Sequence, residues 1–187
     1  MAGRPASRSA AFLVVAISAA AAGCRSDGAP RRVPDDGAPC SAVLPGSPTS
    51  RDETLRLGTV AATERAWTFR QPDLSVDPPK DFTTYVVRRG AVLPDAPLRD
   101  QALLDAAAAR VARGIELQDV TKPTVAKVPT RAGDAVELRW TTGRFHNATR
   151  LLLIPRGYCE VTILGASTEA EIASYFASVQ VGADTKP

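Results

Sequence analysis

Asp134-Ala-Val-Glu-Leu-Arg-Trp-Thr-Thr142 alternates between apolar and polar side chains from Val136 onward. A period of two is typical of a β-strand with one buried face. We therefore predict a strand over these residues whose two faces differ in chemistry. One face carries Val136, Leu138 and Trp140, and the other carries Glu137, Arg139 and Thr141.

Two more apolar segments follow this strand, Ala148–Ile154 and Tyr158–Leu164. In the second of them, alternation predicts that Cys159, Val161 and Ile163 share a face. The connecting residues, Gly143–Asn147 and Pro155–Gly157, are short and of turn-forming type. Short links join antiparallel neighbours, so the three strands are expected to form an antiparallel meander.

Three earlier strands are predicted, of which the last is rich in β-branched and aromatic residues. They cover Thr54–Val60, Ala66–Arg70 and Phe82–Arg89, with loops expected at Pro72–Lys80 and Gly90–Pro97. Ile115–Val128 reads as an extended piece that Pro123 interrupts.

Two helices are predicted. The first spans Leu98–Arg113, contains four consecutive alanines and is expected to end at Gly114 as its C′ residue. The second begins near Thr168, which with Glu171 forms a capping box. Its apolar stripe consists of Ile172, Tyr175, Phe176 and Val179, and a last short strand over Ser178–Val181 overlaps its end.

This order of elements predicts an α+β fold, an antiparallel β-sheet packed by two main helices. The pattern resembles the PsbP/Mog-type domains. The matching residues are Gly133-Asp134-Ala135, Gly157-Tyr158, and Ser167-Thr168-Glu169-Ala170-Glu171 leading into the last helix. The resemblance implies an α/β/α sandwich over about Thr54–Gly182, and a binding or assembly role; a different helix-on-sheet fold is the alternative.

The N-terminus has the pattern of a secretory signal. Met1–Ser9 carries Arg4 and Arg8, and an apolar run over Ala10–Ala22 follows. Ala21-Ala22-Gly23-Cys24 resembles the lipobox of bacterial lipoproteins, with Ala where Leu is usual. The resemblance implies cleavage after residue 23, with Cys24 as the lipid-attachment residue. An ordinary signal peptide with a chance cysteine is the alternative.

The remaining chain is predicted to contain one globular domain. Residues 24–53 are expected to form a flexible tether, because Arg25–Pro39 is rich in Pro and Gly and Ala42–Ser50 continues as a loop. The domain then covers residues 54–182, and residues 183–187 form a C-terminal tail.

The three cysteines of the chain are Cys24, Cys40 and Cys159. If Cys24 carries lipid, two remain in an oxidising compartment, and we predict that Cys40 and Cys159 form a disulfide. Two separate thiols are the alternative.

The charge balance excludes one class of partner. Arg4 and Arg8 fall in the predicted signal, so the mature chain has 21 basic and 20 acidic residues. Nucleic-acid binding needs a concentrated basic surface, and it is not expected here.

No catalytic or metal-binding motif is recognised in the sequence, and no cofactor is expected. His146 is the single histidine, so a histidine-based metal site has no partners at ligand spacing. A nucleophilic pair of Cys159 and His146 is disfavoured because Cys159 shares a face with apolar side chains.

Three arginines form the candidate contact patch. Arg139, Arg144 and Arg150 lie on or beside the polar face of the first meander strand. They would suit lipid headgroups or an acidic partner. The alternative is a solvated sheet face whose charge Glu137 and Glu160 balance.

The sequence thus favours a lipid-anchored protein of the bacterial cell envelope, on its periplasmic or extracellular face. Its expected role is non-catalytic binding of an envelope protein or a small apolar ligand. A lipoprotein enzyme of unrecognised class is the alternative.

Overall fold

The computed structural model describes residues 28–34, 38–72, 82–93, 100–116 and 122–182. The predicted signal, Cys24, most of the Pro72–Lys80 loop and the tail at residues 183–187 lie outside these residues. Neither described helix is long and apolar enough to cross a membrane.

The described chain forms an α+β fold around one seven-stranded antiparallel sheet, and a separate pair of short strands lies beside it. The short pair is β1 (Arg31–Val33) with β2 (Ala42–Leu44). The large sheet has the order β3-β4-β5-β9-β8-β7-β6. Its strands are β3 (Thr49–Leu57), β4 (Val60–Pro72), β5 (Phe82–Val92), β6 (Thr124–Thr130), β7 (Gly133–Thr142), β8 (Phe145–Ile154) and β9 (Gly157–Ala166).

Two helices cover opposite faces of the sheet: α1 (Asp100–Glu116) and α2 (Glu169–Ala177). Leu138 and Trp140 pack in the apolar cluster that contains α1, and Val161 and Ile163 pack in the cluster that contains α2. The predicted faces of the meander strands are therefore confirmed, and each strand contributes to two cores.

The start of α2 follows the predicted capping pattern. The Thr168 side chain accepts a hydrogen bond from the backbone N–H of Glu171 at 3.2 Å. The Glu171 carboxylate in turn accepts from the backbone N–H of Ser167 at 3.0 Å. One of the helix's otherwise unpaired N-terminal donors, the Glu171 N–H, is thereby satisfied. The return bond from the Glu171 carboxylate goes to the residue before the N-cap, one residue earlier than in the usual capping box.

The predicted loop over Ala42–Ser50 is wrong, because β2 and the start of β3 lie within it. The predicted start of the folded part, near Thr54, lies in the middle of β3. Ala42 and Leu44 of β2 are completely buried, beside α2. Strand β3 lies at the edge of the sheet and is almost wholly polar. Edge strands carry polar residues that resemble those of a loop.

Helix α1 continues past its predicted end, through Glu116. Gly114 is therefore inside the helix and is not its C′ residue. The buried Ile115 holds the last turn against the sheet, so tertiary packing outweighs the low helix propensity of glycine. Ile115, the first residue of the predicted extended piece, therefore belongs to α1, and β6 lies at the end of that piece. Strand β5 reaches Val92, inside a predicted loop.

Cys40 and Cys159 form a disulfide with a Cα–Cα distance of 5.7 Å, across 119 residues of sequence. The predicted bond is confirmed. Ser41 then pairs with Gln180 through two backbone hydrogen bonds of 2.9 and 2.8 Å, in place of the predicted strand over Ser178–Val181. The disulfide and the backbone hydrogen bonds of Ser41 thus both hold this segment to the domain.

Candidate functional site

A groove of about 1170 Å³ lies on the α2 side of the sheet. We call it the α2-side groove. It is lined by the end of α2 and the residues after it, by the turn between β6 and β7, by β8, and by the segment around β1; these include Phe176, Ala177, Val179, Val181, Val128, Arg131, Leu152 and Arg32. The volume is slightly above the range of about 300–1000 Å³ that is usual for ligand pockets.

Among the described residues, the charged side chains that line the α2-side groove are all basic. Arg32, Arg131 and Arg150 line it, and none of the described lining residues is acidic. Arg150 lies with its guanidinium carbon 4.3 Å from the centroid of the Phe176 ring. The groove therefore combines an apolar floor with cationic side chains.

The predicted patch of Arg139, Arg144 and Arg150 lies only in part at the groove. Arg150 alone lines the groove. Arg139 donates to Glu137 at 2.6 Å and also pairs with Glu169, while Arg144 lies over the Phe145 ring at 5.0 Å. Arg139 and Arg150 lie close together, because both bind the carboxylate of Glu137.

Glu137 neutralises two of these arginines. It accepts from Arg139 and, at 2.9 and 2.6 Å, from Nε and Nη2 of Arg150. Burial alone would raise the pKa of Glu137, but these hydrogen bonds outweigh burial and hold the pKa below its ordinary value. Glu137 is 6% exposed, so it is not part of a solvated sheet face, which was the alternative to a contact patch.

His146 lies at the start of β8, with Nδ1 3.0 Å from a Glu169 carboxylate oxygen. The sequence shows no partner for this histidine, because Glu169 is 23 residues away at the start of α2. Cys159 is in the disulfide, so the structure forms no Cys–His pair. The described residues contain no cluster of three or more metal-ligating side chains.

A buried charged cluster lies on the opposite side, between α1 and the sheet. Glu64 and Glu160 are 3% and 1% exposed, and Arg110 of α1 pairs with both, at 3.0 Å from Glu64. Arg88 also pairs with Glu160, and the Tyr158 hydroxyl donates to Glu64 at 2.9 Å. This cluster joins α1 to strands β4, β5 and β9.

Within the buried charged cluster, the charged form of Glu64 is disfavoured. Burial raises the pKa of Glu64, and the neighbouring charge of Glu160 raises it further, against the opposing effect of the arginines and Tyr158. The Nε atom of Arg110 is buried and has no hydrogen-bond partner among the described residues.

Sequence reasoning missed this cluster. The sequence did contain one signal for it. Tyr158, Glu160 and Thr162 share the face of β9 opposite Cys159, Val161 and Ile163, and in the structure both faces of β9 are buried.

No protein-family model and no curated protein matches the chain. A solved structure similar to this chain is the solution structure of cyanobacterial PsbP (CyanoP) from Synechocystis sp. PCC 6803. The similarity covers 85% of this chain and 97% of that chain, with a TM-score of 0.48 and 11% sequence identity. A likeness at this level concerns the fold and says nothing about what the α2-side groove binds.

Proposed function

We propose that this protein is a lipid-anchored binding protein of the bacterial cell envelope, whose ligand lies in the α2-side groove, and that it catalyses no reaction. The α2-side groove itself carries this proposal. It is large, its floor is apolar, and its described charged lining residues are all arginines. Concave, mostly apolar sites with a few placed polar groups are the usual form of ligand-binding sites.

The placement of the reactive side chains supports binding over catalysis. Both cysteines of the domain are in the disulfide, and His146 pairs with Glu169. The carboxylates of Glu64 and Glu160 are held by arginines on the other side of the sheet from the groove. None of these groups lines the α2-side groove.

The predicted anchor would keep this groove near a membrane. Arg32, which lines the groove, follows Cys24 by eight residues. Eight residues span at most about 30 Å when fully extended, at roughly 3.5 Å per residue. A ligand in the α2-side groove would then lie close to the membrane surface, which suits an envelope protein or a membrane-derived molecule.

The anchor is tested by replacing Cys24 with Ser and fractionating the cells. The Cys24→Ser protein should leave the membrane fraction. Normal processing with continued membrane attachment would contradict lipid anchoring at Cys24.

The groove is tested with two tryptophan variants on one helix. Ala177 is exposed and lines the groove, whereas Ala173, one turn earlier on α2, is exposed and does not. Ala177→Trp should remove a specific molecule from the protein purified out of detergent-solubilised envelopes, and Ala173→Trp should retain it. Equal retention by both variants, measured by quantitative mass spectrometry, would contradict binding in the groove.

A further inference from the structure

Two arginines in the α2-side groove lack a carboxylate partner in the described chain. The Arg32 guanidinium donates to the Ser178 carbonyl at 2.9 Å and to the Ser41 hydroxyl at 3.2 Å, both neutral acceptors. Arg131, exposed in the turn between β6 and β7, has no ion pair among the described residues. A ligand with two or more anionic groups would therefore meet two guanidinium groups whose charge no carboxylate of the described residues compensates.

One residue of the groove lining, Val181, has backbone groups that are unpaired within the described residues. Ser41 and Gln180 exchange both of their backbone hydrogen bonds, and the Gly182 N–H donates to the Pro39 carbonyl at 3.2 Å. In an extended segment, alternate residues point their backbone groups to opposite edges. The N–H and C=O of Val181 therefore face away from Ser41, and within the described residues they have no hydrogen-bond partner.

The shape of the groove distinguishes between classes of ligand. It is partly open to solvent, and its lining includes Leu152 and Phe176. An acyl chain is bound well only when most of its surface is enclosed, which an open groove does not provide. An extended peptide can leave one face in water while its other side chains contact the floor and its backbone bonds to the wall.

We infer that the ligand of the α2-side groove is an extended segment of a partner protein in which acidic and apolar residues alternate. The apolar side chains contact the floor, and the peptide backbone pairs with Val181 as an added strand. The acidic side chains bind Arg32 and Arg131. This inference rests on the proposed function, because it names the ligand class of the same groove.

The test uses the full-length protein purified in detergent and an immobilised library of random octapeptides. Peptides that alternate acidic and apolar residues should be enriched. A selected peptide should bind about tenfold more weakly to Arg131→Glu, a loss that corresponds to about 1.4 kcal/mol. Arg113→Glu, on the exposed surface of α1 at the other face of the sheet, should bind the peptide as well as the unaltered protein does.

The backbone contact is tested separately with the selected peptide N-methylated at every second residue, in both possible phases. One phase should lose most of its binding and the other should keep it, because only alternate amides of an added strand face Val181. Loss in neither phase would overturn strand addition. Enrichment of no peptide class over Ala177→Trp would overturn the peptide inference altogether.

A lipid ligand gives a different result. Vesicles of phosphatidylglycerol could bind in an Arg131-dependent manner that Ala177→Trp removes, while no peptide binds. That outcome would overturn the inferred peptide and leave the groove as the binding site. A failure of the proposed function itself would instead appear as equal retention by Ala177→Trp and Ala173→Trp.

Discussion

The ring of Tyr158 lies directly on the backbone of Gly90, its cross-strand partner in the β5–β9 pair. A Cβ atom at residue 90 would be 2.2 Å from the ring atoms Cε1 and Cζ. The missing side chain at Gly90 therefore allows the Tyr158 hydroxyl to reach Glu64, on the strand beyond, at 2.9 Å. The glycine in β5 thus makes room for the buried charged cluster.

Gly90→Ala should destabilise the domain by about 3 kcal/mol, since it overpacks the site and displaces a hydrogen bond to a buried carboxylate. Gly114→Ala is the matched control, because Gly114 lies within α1 and its Cβ would meet open space. That variant should be stabilised by up to about 1 kcal/mol. Denaturant unfolding measures both, and equal stability of the two variants would contradict the packing described for Tyr158.

Arg110→Met should destabilise the domain by about 3 kcal/mol, because it leaves Glu64 and Glu160 buried with Arg88 as their remaining cationic partner. Arg113 is exposed and lies one turn later on α1, so Arg113→Met should change stability by less than about 0.5 kcal/mol. The same unfolding measurement applies. A small effect of Arg110→Met would mean that the buried charged cluster does not hold α1.

The pH dependence of stability should differ in sign between two glutamates. The pKa of Glu64 is raised in the folded state, so its stabilising contribution is complete below its ordinary pKa of 4.5 and is lost as pH rises through the raised value. The pKa of Glu137 is lowered, so its contribution is present above pH 4.5 and is lost as pH falls through the lowered value.

Urea unfolding from acidic to neutral pH should therefore separate the two glutamine variants. The stability of the unaltered protein relative to Glu64→Gln should decrease as pH rises. Its stability relative to Glu137→Gln should increase. Parallel pH profiles would contradict the opposite environments assigned to these carboxylates.

Reduction of the Cys40–Cys159 disulfide should lower the free energy of unfolding. On the chain-entropy model, a closed loop of 119 residues corresponds to about 4–5 kcal/mol. Hydrogen exchange should increase first at Ser41 and Gln180, because their two backbone hydrogen bonds lie directly beside Cys40 and form an isolated bridge outside both sheets. Two thiols that alkylate in the native, unreduced protein would contradict the bond.

Much of the fold was predictable because its signals are local. The alternation around Leu138, the turn residues between the meander strands and the Thr168 cap each reflect neighbouring residues in sequence. The start of the domain was not predictable in this way. Edge strand β3 is polar, and β2 has three residues whose burial depends on α2, which lies more than 120 residues later in the chain.

The candidate site was less predictable for the same physical reason. The α2-side groove brings together Arg32, Arg131 and Arg150 from three distant parts of the chain. Of these, only Arg150 belongs to the three-arginine patch predicted from the sequence. The contact patch of Arg139, Arg144 and Arg150 stays a prediction. The sequence pattern did not show that Glu137 and Glu169, placed by cross-strand pairing and by α2, neutralise Arg139.

Photo-cross-linking in living cells tests most directly whether this domain binds its ligand in the α2-side groove. Benzoylphenylalanine is placed at residue 177, within the groove, and in a second strain at residue 173, outside it on the same helix. We predict a discrete cross-linked product from position 177 and none from position 173. Cross-linking from position 173 alone, or from neither position, would contradict the account.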